Sequence, residues 1–288
     1  MHTPKAILLR LPSCALLALM GLLSPSILSA QLIGIAGDYG AFAGSTVTNT
    51  GSTVILGGLG VSPGTAITGF AVIDGGPGLF TGTLSQGGPV ASQAHNDILS
   101  SYTALAALSF NTDLTGQDLG GLTLTPGVYR FDSSAQLTGV LTLDAQGDAN
   151  ARFVFQIGSA LTTATDARVT LVNLDSVSAG GPEAGVYWQV GSSATIGVGG
   201  AFAGNILALT SITLNTGASI DYGRALAVNG AVTLDSNRID ALDTSGGFGA
   251  PSMTPVPEPS TYGLLGCGVL LFAIRRRLRQ VRDRRELL

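Results

Sequence analysis

The sequence predicts a mostly β protein whose strands wind as stacked coils of a β-solenoid, with one long helix beside them. Three observations predict it. Short apolar runs rich in β-branched residues recur through the middle of the chain, bounded by Gly, Ser, Asn and Asp. Their starts are mostly 13 to 19 residues apart, longer than hairpin spacing and too short for a crossover helix each time. One segment alone changes to helical period. The composition agrees with a folded body, since the 288 residues are 45% hydrophobic and only 11% charged, and the 41 Gly follow no every-third-residue pattern. Disorder and a collagen helix are both excluded.

The N-terminus places Lys5 and Arg10 before an apolar stretch from Ala15 to Leu23, then Ser24-Pro25, then Leu28-Ser29-Ala30. That order predicts a secretory signal peptide over residues 1–30, cut after Ala30. The body, residues 31–250, follows. From Val90 to Leu108, residues Ala94, Ile98, Tyr102, Leu105 and Ala106 fall at steps that share one helix face, and Pro89 suits the first turn. The expected strands are Val140–Leu143, Phe153–Ile157, Val169–Val172, Val186–Val190, Asn205–Leu209 and Ala231–Leu234. Phe155-Gln-Ile-Gly-Ser159 lines up with Trp188-Gln-Val-Gly-Ser192 at an offset of 33, as stacked repeats would.

Residues 251–288 form a linker and tail. Val256-Pro257-Glu258-Pro259 leads into 13 apolar residues, Tyr262 to Ile274, and then Arg275-Arg276-Arg277. Thirteen residues fall short of the roughly 20 that span a membrane comfortably, and the Arg cluster marks the cytoplasmic side. The order of motif, short apolar helix and basic cluster resembles the PEP-CTERM sorting tail of Gram-negative bacteria. That resemblance implies recognition at Pro257, Glu258 and Pro259 by an exosortase, transient anchoring in the inner membrane, and release to the outside or the cell surface.

Charge and chemistry narrow the function. Between residues 31 and 256 there are five Arg, no Lys and 15 acidic residues, a net charge of −10, so nucleic acid is not an expected partner. Cys14 and Cys267 both lie outside the body, which leaves no disulfide. His95 is the body's one histidine and is expected as an ordinary helix-surface residue, so catalytic triads and His-metal sites are poorly supplied. Acidic residues such as Asp144 and Asp148 sit at turn positions where Asp caps its own backbone. No enzyme, cofactor or metal is expected.

What recurs is threonine beside a tiny residue, as in Thr50-Gly-Ser-Thr53, Thr65-Ala-Ile-Thr68, Thr163-Ala-Thr165, Ser193-Ala-Thr195 and Thr216-Gly-Ala-Ser219. Side chains two apart on a strand lie about 6.6 to 6.8 Å apart and coils stack at about 4.8 Å, so a flat lattice of methyls and hydroxyls could follow. Thr is stiff at χ1, which makes such an array cheap to order. Thr is also simply a good strand residue on a solvent face, and the residues alone leave both readings open.

Thr46-Val-Thr-Asn-Thr-Gly-Ser-Thr-Val-Ile55, Gly60-Val-Ser-Pro-Gly-Thr-Ala-Ile-Thr-Gly-Phe70, Leu119-Gly-Gly-Leu-Thr-Leu-Thr-Pro-Gly-Val-Tyr129, Leu141-Thr-Leu-Asp-Ala-Gln-Gly-Asp148 and Trp188-Gln-Val-Gly-Ser-Ser-Ala-Thr195 resemble the signature segments of the DUF3494 ice-binding family, in order over nearly all of residues 34 to 240. The resemblance implies an irregular right-handed β-helix with one long α-helix packed alongside. It implies binding to an ice crystal surface through a flat face of Thr-Ala/Gly-X-Thr/Asn motifs. The positions it implies are Thr50, Thr53, Thr65, Thr68, Thr163, Thr165, Ser193, Thr195, Thr216 and Ser219; Ser219, and Asp166 in the final place after Thr163, depart from the pattern. The expected function is adsorption to ice by a secreted monomer, which slows crystal growth and recrystallisation. The alternative is a surface adhesin or matrix protein whose partner is an exopolysaccharide.

Overall fold

The computed structural model describes residues 32–148, 150–174 and 185–241, so the expected signal peptide and sorting tail lie outside the described residues. The body is a β-helix of three parallel sheets, and a typical coil gives one short strand to each. In one such coil Arg152–Ile157 enters the first sheet, Leu161–Thr163 the second and Arg168–Val172 the third. The repeat at offset 33 is the stacking itself. Phe155 pairs with Trp188, Gln156 with Gln189 and Ile157 with Val190, and Thr162 then pairs with Thr195.

Each expected strand is present, with ends that differ by one residue at most. Alternation explains why. At Leu161–Thr163, Ala194–Ile196, Ile212–Leu214 and Val232–Leu234 the first and third residues are buried and the middle one faces out. Inward residues make the core. Tyr129, Phe155 and Trp188 occupy successive rungs, with ring centroids 5.4 and 3.9 Å apart, and Phe202 closes on Trp188 at 4.7 Å. The Trp188 indole N–H donates to the Ala203 carbonyl at 3.0 Å, so even its polar atom is satisfied. Burying each such side chain stabilises the fold by about 1.5–3 kcal/mol.

Stacking does not follow chain order throughout. Tyr39–Ala43 lies between Ala225–Ala227 and Gly58–Val61, so the N-terminal coils stack beyond the C-terminal ones. The chain must then return to the far end of the solenoid, where Thr112–Asp113 pairs with Gly127–Phe131. The helix Gly88–Ala106 makes most of that journey, since its 19 residues reach about 28 Å and nine strands take up about 38 Å.

On the way the helix covers the first sheet. Ala91, Ala94, Ile98 and Leu105 pack on Val154, Tyr187, Leu207, Leu226 and Val228, and Pro89 sits in the first turn. The expected stripe needs correction at its end, because Tyr102 is half-buried and Ala106 exposed, while Ala91 and Ser101 are buried instead. Adjacent helix residues point about 100° apart, so Leu105 and Ala106 cannot share the buried face. His95 is likewise half-buried rather than on the open surface, with Nε2 2.9 Å from the Val228 carbonyl.

The Gln of the repeat now has a role. Gln156 Nε2 donates to the carbonyls of Leu105 and Leu108, 2.8 Å each, and so caps the C-terminus of the helix. Gln189 on the next rung bonds the Tyr102 side chain, whose hydroxyl burial pushes its pKa up. At Gly158 and Gly191 the coils approach so closely that an added Cβ would lie 2.5 Å from a backbone oxygen of the preceding coil, which explains the repeated Gly.

Candidate functional site

The three outer faces differ. The first sheet is covered by the helix. The third carries Val54, Arg238, Ser219, Ala201, Arg168 and Val140 in one outward row; beside it Asp221 stands next to the buried Asp240, and Thr170, Thr142 and Thr123 align further along. Arg238 bridges the two stacked carboxylates, 2.9 Å from Asp221 and 2.5 Å from Asp240. That face is charged and uneven.

The second sheet has no charged residue in any strand. Its order is Ala135–Leu137, Leu161–Thr163, Ala194–Ile196, Ile212–Leu214, Val232–Leu234, Thr46–Asn49 and Ala66–Thr68. The register aligns Gln136, Thr162, Thr195, Thr213, Thr233, Thr48 and Thr68 in a single outward row. Seven rungs extend about 29 Å at the parallel-strand spacing. Two residues before this row in the chain stand Ala160, Ser193, Ser211, Ala231, Thr46 and Ala66, all small or short. The Ser193 and Ser211 hydroxyls accept from the backbone amides of Ser211 and Ala231, which ties that flank to the coils. Among the described residues the six threonine hydroxyls of the central row bond to no other protein group. They face outward with their bonding capacity free.

The sequence-derived positions scatter over this geometry. Thr68 and Thr195 stand in the central row and Ser193 on its flank. Thr65 is exposed just before Ala66, and Thr50 is exposed at the edge, with its hydroxyl 3.5 Å from the Leu234 carbonyl. Thr165 and Thr216 lie in exposed turns, and Thr216 is already bonded to Asp235 at 2.5 Å. Ser219 belongs to the third sheet. Thr53 and Thr163 are buried, 0% and 4% exposed, so their side chains face the core rather than solvent. The Thr163 hydroxyl accepts from the Gly197 amide at 2.8 Å. Asp166 is a corner residue with φ of 56°, which is why the motif ends on Asp there.

The reason is strand geometry. Positions three apart in an extended chain face opposite ways unless a corner intervenes, so a Thr-X-X-Thr pair rarely puts both hydroxyls on one face. Sequence reasoning missed Gln136, Thr48, Thr162, Thr213 and Thr233. The signal that marks two of them is a single Thr with an apolar residue on either side, Ile212-Thr213-Leu214 and Val232-Thr233-Leu234, while Thr162 and Thr48 have an apolar residue on one side only.

The end of the row at Gln136 is pinned by Asp118, which pairs with it as an isolated bridge. Partial burial raises the Asp118 pKa, but hydrogen bonds from the Thr138 hydroxyl and amide and from the Gly120 amide outweigh that and hold the carboxyl below its usual range. Asp113, Asp144 and Asp148 each accept from the amide two residues on, the expected turn geometry. Among the described residues no group of three or more His, Cys, Asp or Glu is placed to hold a metal ion.

Comparisons with known proteins agree with this architecture. The ice-binding-like family matches residues 41–240, and a PEP-CTERM protein-sorting motif matches residues 255–277. An ice-binding protein of Nostoc sp. (strain HG1) is 52% identical over 256 residues, covering 88% of this chain and 89% of that protein. The crystal structure of an ice-binding protein from an Antarctic biological consortium superposes with a TM-score of 0.65 at 44% identity, over 72% of this chain and 89% of that one. The ice-binding protein of Antarctomyces psychrotrophicus gives 0.65 at 40% identity, over 73% and 98%. The chain belongs to the ice-binding-like family.

Proposed function

We propose that this protein binds ice with the outer face of the second sheet, centred on Thr162, Thr195, Thr213, Thr233, Thr48 and Thr68, and by adsorbing there hinders ice growth and recrystallisation. The in-register row of unpartnered threonines, on an uncharged sheet, carries the reading. A Thr presents one methyl and one hydroxyl from a stiff χ1, so the row offers a regular array with little rotamer entropy left to lose on contact. Strongly hydrated ammonium groups would disturb ordered water, and the body has no Lys. The third sheet is charged, and its aligned threonines stop at three rungs, Thr123, Thr142 and Thr170.

Residues 31–250 are the ice-binding body in this reading, acting as a single copy. The match to a sorting motif at 255–277 supports export to the cell surface or beyond, with Pro257, Glu258 and Pro259 as the recognised residues. The direct test is a freezing microscope. The full chain should facet growing ice crystals and hold a frozen sucrose film at fine grain size; round crystals and normal coarsening at every protein concentration would refute it.

A further inference from the structure

The threonine row is assembled from two distant parts of the chain. Thr162, Thr195, Thr213 and Thr233 come from coils that follow one another, whereas Thr48 and Thr68 belong to the N-terminal coils stacked onto Thr233. The row therefore crosses a seam between Val232–Leu234 and Thr46–Asn49 that no local chain connection holds.

A buried chain of hydrogen bonds crosses that seam at the corner between the second and third sheets. The Thr53 hydroxyl donates to Asn49 Oδ1 at 2.6 Å and accepts from the Asn237 amide at 3.0 Å. On the N-terminal side Asn49 Nδ2 donates to the carbonyls of Gly51 and Gly69, 2.7 and 2.8 Å. On the C-terminal side Asn237 Nδ2 donates to the carbonyls of Asn215 and Ala218, 2.8 and 3.0 Å. The line thus runs from the coil of Thr68, through that of Thr48, to those of Thr233 and Thr213. One hydroxyl, able to donate and accept at once, joins its two halves.

We infer that Thr53 is a positioning residue for the ice-binding face: its hydroxyl locks the N-terminal coils in register, so that Thr48 and Thr68 extend the row begun by Thr162 to Thr233. The inference rests on the proposed role of the second sheet. Without that hydroxyl the Asn237 amide and Asn49 Oδ1 lose their partner in a buried corner, and these coils have no covalent neighbour across the seam to hold the register. Thr53 is 0% exposed, so it acts without touching ice.

The test uses the full chain with Thr53→Val, close in shape but unable to bond, and Thr53→Ser, which restores the hydroxyl. Amide hydrogen exchange at 46–49 and 66–68 should speed up at least tenfold in Thr53→Val, while 194–196 and 212–214 keep the parent's protection. The protein concentration needed to block recrystallisation should rise severalfold, and Thr53→Ser should return both readings to near the parent's. Asn49→Ala, which removes the partner on the other side, should give the same pattern. Unchanged exchange at 46–49 would overturn the assignment. So would equal loss of protection at 194–214, which would make Thr53 an ordinary core residue. If the N-terminal rungs loosen but ice activity holds while Thr195→Tyr abolishes it, Thr53 does not position the face and the second sheet stands. If Thr195→Tyr is also fully active, the sheet itself is the wrong surface.

Discussion

Five of the six coils that give a threonine to the second sheet give a different residue to the third five or six positions later, and the coil of Thr68 reaches it only at Leu79. Thr162 is followed by Arg168, Thr195 by Ala201, Thr213 by Ser219, Thr233 by Arg238 and Thr48 by Val54. The inward residues of both sheets are apolar except Asn49 and Thr163, whose polar groups are hydrogen-bonded, because coil stacking demands it. Outward residues are under no such demand. The third sheet uses that freedom as an ordinary surface does, with Arg238 bridging Asp221 and Asp240, and the second repeats one residue type over six rungs. Since the same backbone supports both, foldability does not explain the repetition, and the proposed contact with ice does.

Four expected outcomes bear on that contrast. The largest belongs to the core that both faces share: Trp188→Ala removes the ring stacked between Phe155 and Phe202 and should cost about 3–5 kcal/mol, seen as a lower midpoint in thermal unfolding. Both faces should fail together. Thr213→Lys should separate them. A flexible, strongly hydrated ammonium in the middle of the row should raise the protein concentration needed to block recrystallisation about tenfold or more, with stability changed by less than about 0.5 kcal/mol. Arg238→Ala does the converse on the third sheet. It removes the guanidinium that Asp221 and the buried Asp240 share, should cost about 1 kcal/mol after allowance for the solvent around a half-exposed Arg, and should leave ice activity unchanged.

The smallest effect is with pH. Hydrogen bonds hold Asp74, Asp113 and Asp118 below their ordinary value of 3.8 in the folded protein. Their contribution is therefore complete above 3.8 and is lost as the pH falls through the lower folded values. The melting temperature should be level from pH 7 to 5 and drop only in more acid solution, and a Thr138→Val variant, which takes one bond from Asp118, should start slightly lower and lose less on acidification.

The contrast also shows what a single sequence can carry. Strands and coil spacing were legible because alternation and the 33-residue repeat are local signals, and the helix because its period is different. The face was only partly legible. Thr195 and Thr68 lay inside the quoted motifs, but the same motifs swept in Thr53 and Thr163, which turn inward at a corner that composition does not reveal. Nothing local says that residues 39–49 stack on 225–234. Parallel pairing between distant coils leaves no turn or spacing to read, so the join between Thr233 and Thr48 had to come from the structure.

The most direct test of the central claim pairs two bulky substitutions on the same coil, Thr195→Tyr on the second sheet and Ala201→Tyr on the third. Each full-length variant is cooled beside the parent on a freezing microscope, with its circular dichroism recorded. One side chain standing above a flat face keeps it from meeting a crystal, so Thr195→Tyr should leave ice crystals round and growing. Ala201→Tyr should facet them as the parent does, and all three spectra should coincide. Faceting by Thr195→Tyr, or its loss in Ala201→Tyr with the fold intact, would place the ice-binding surface elsewhere on the solenoid.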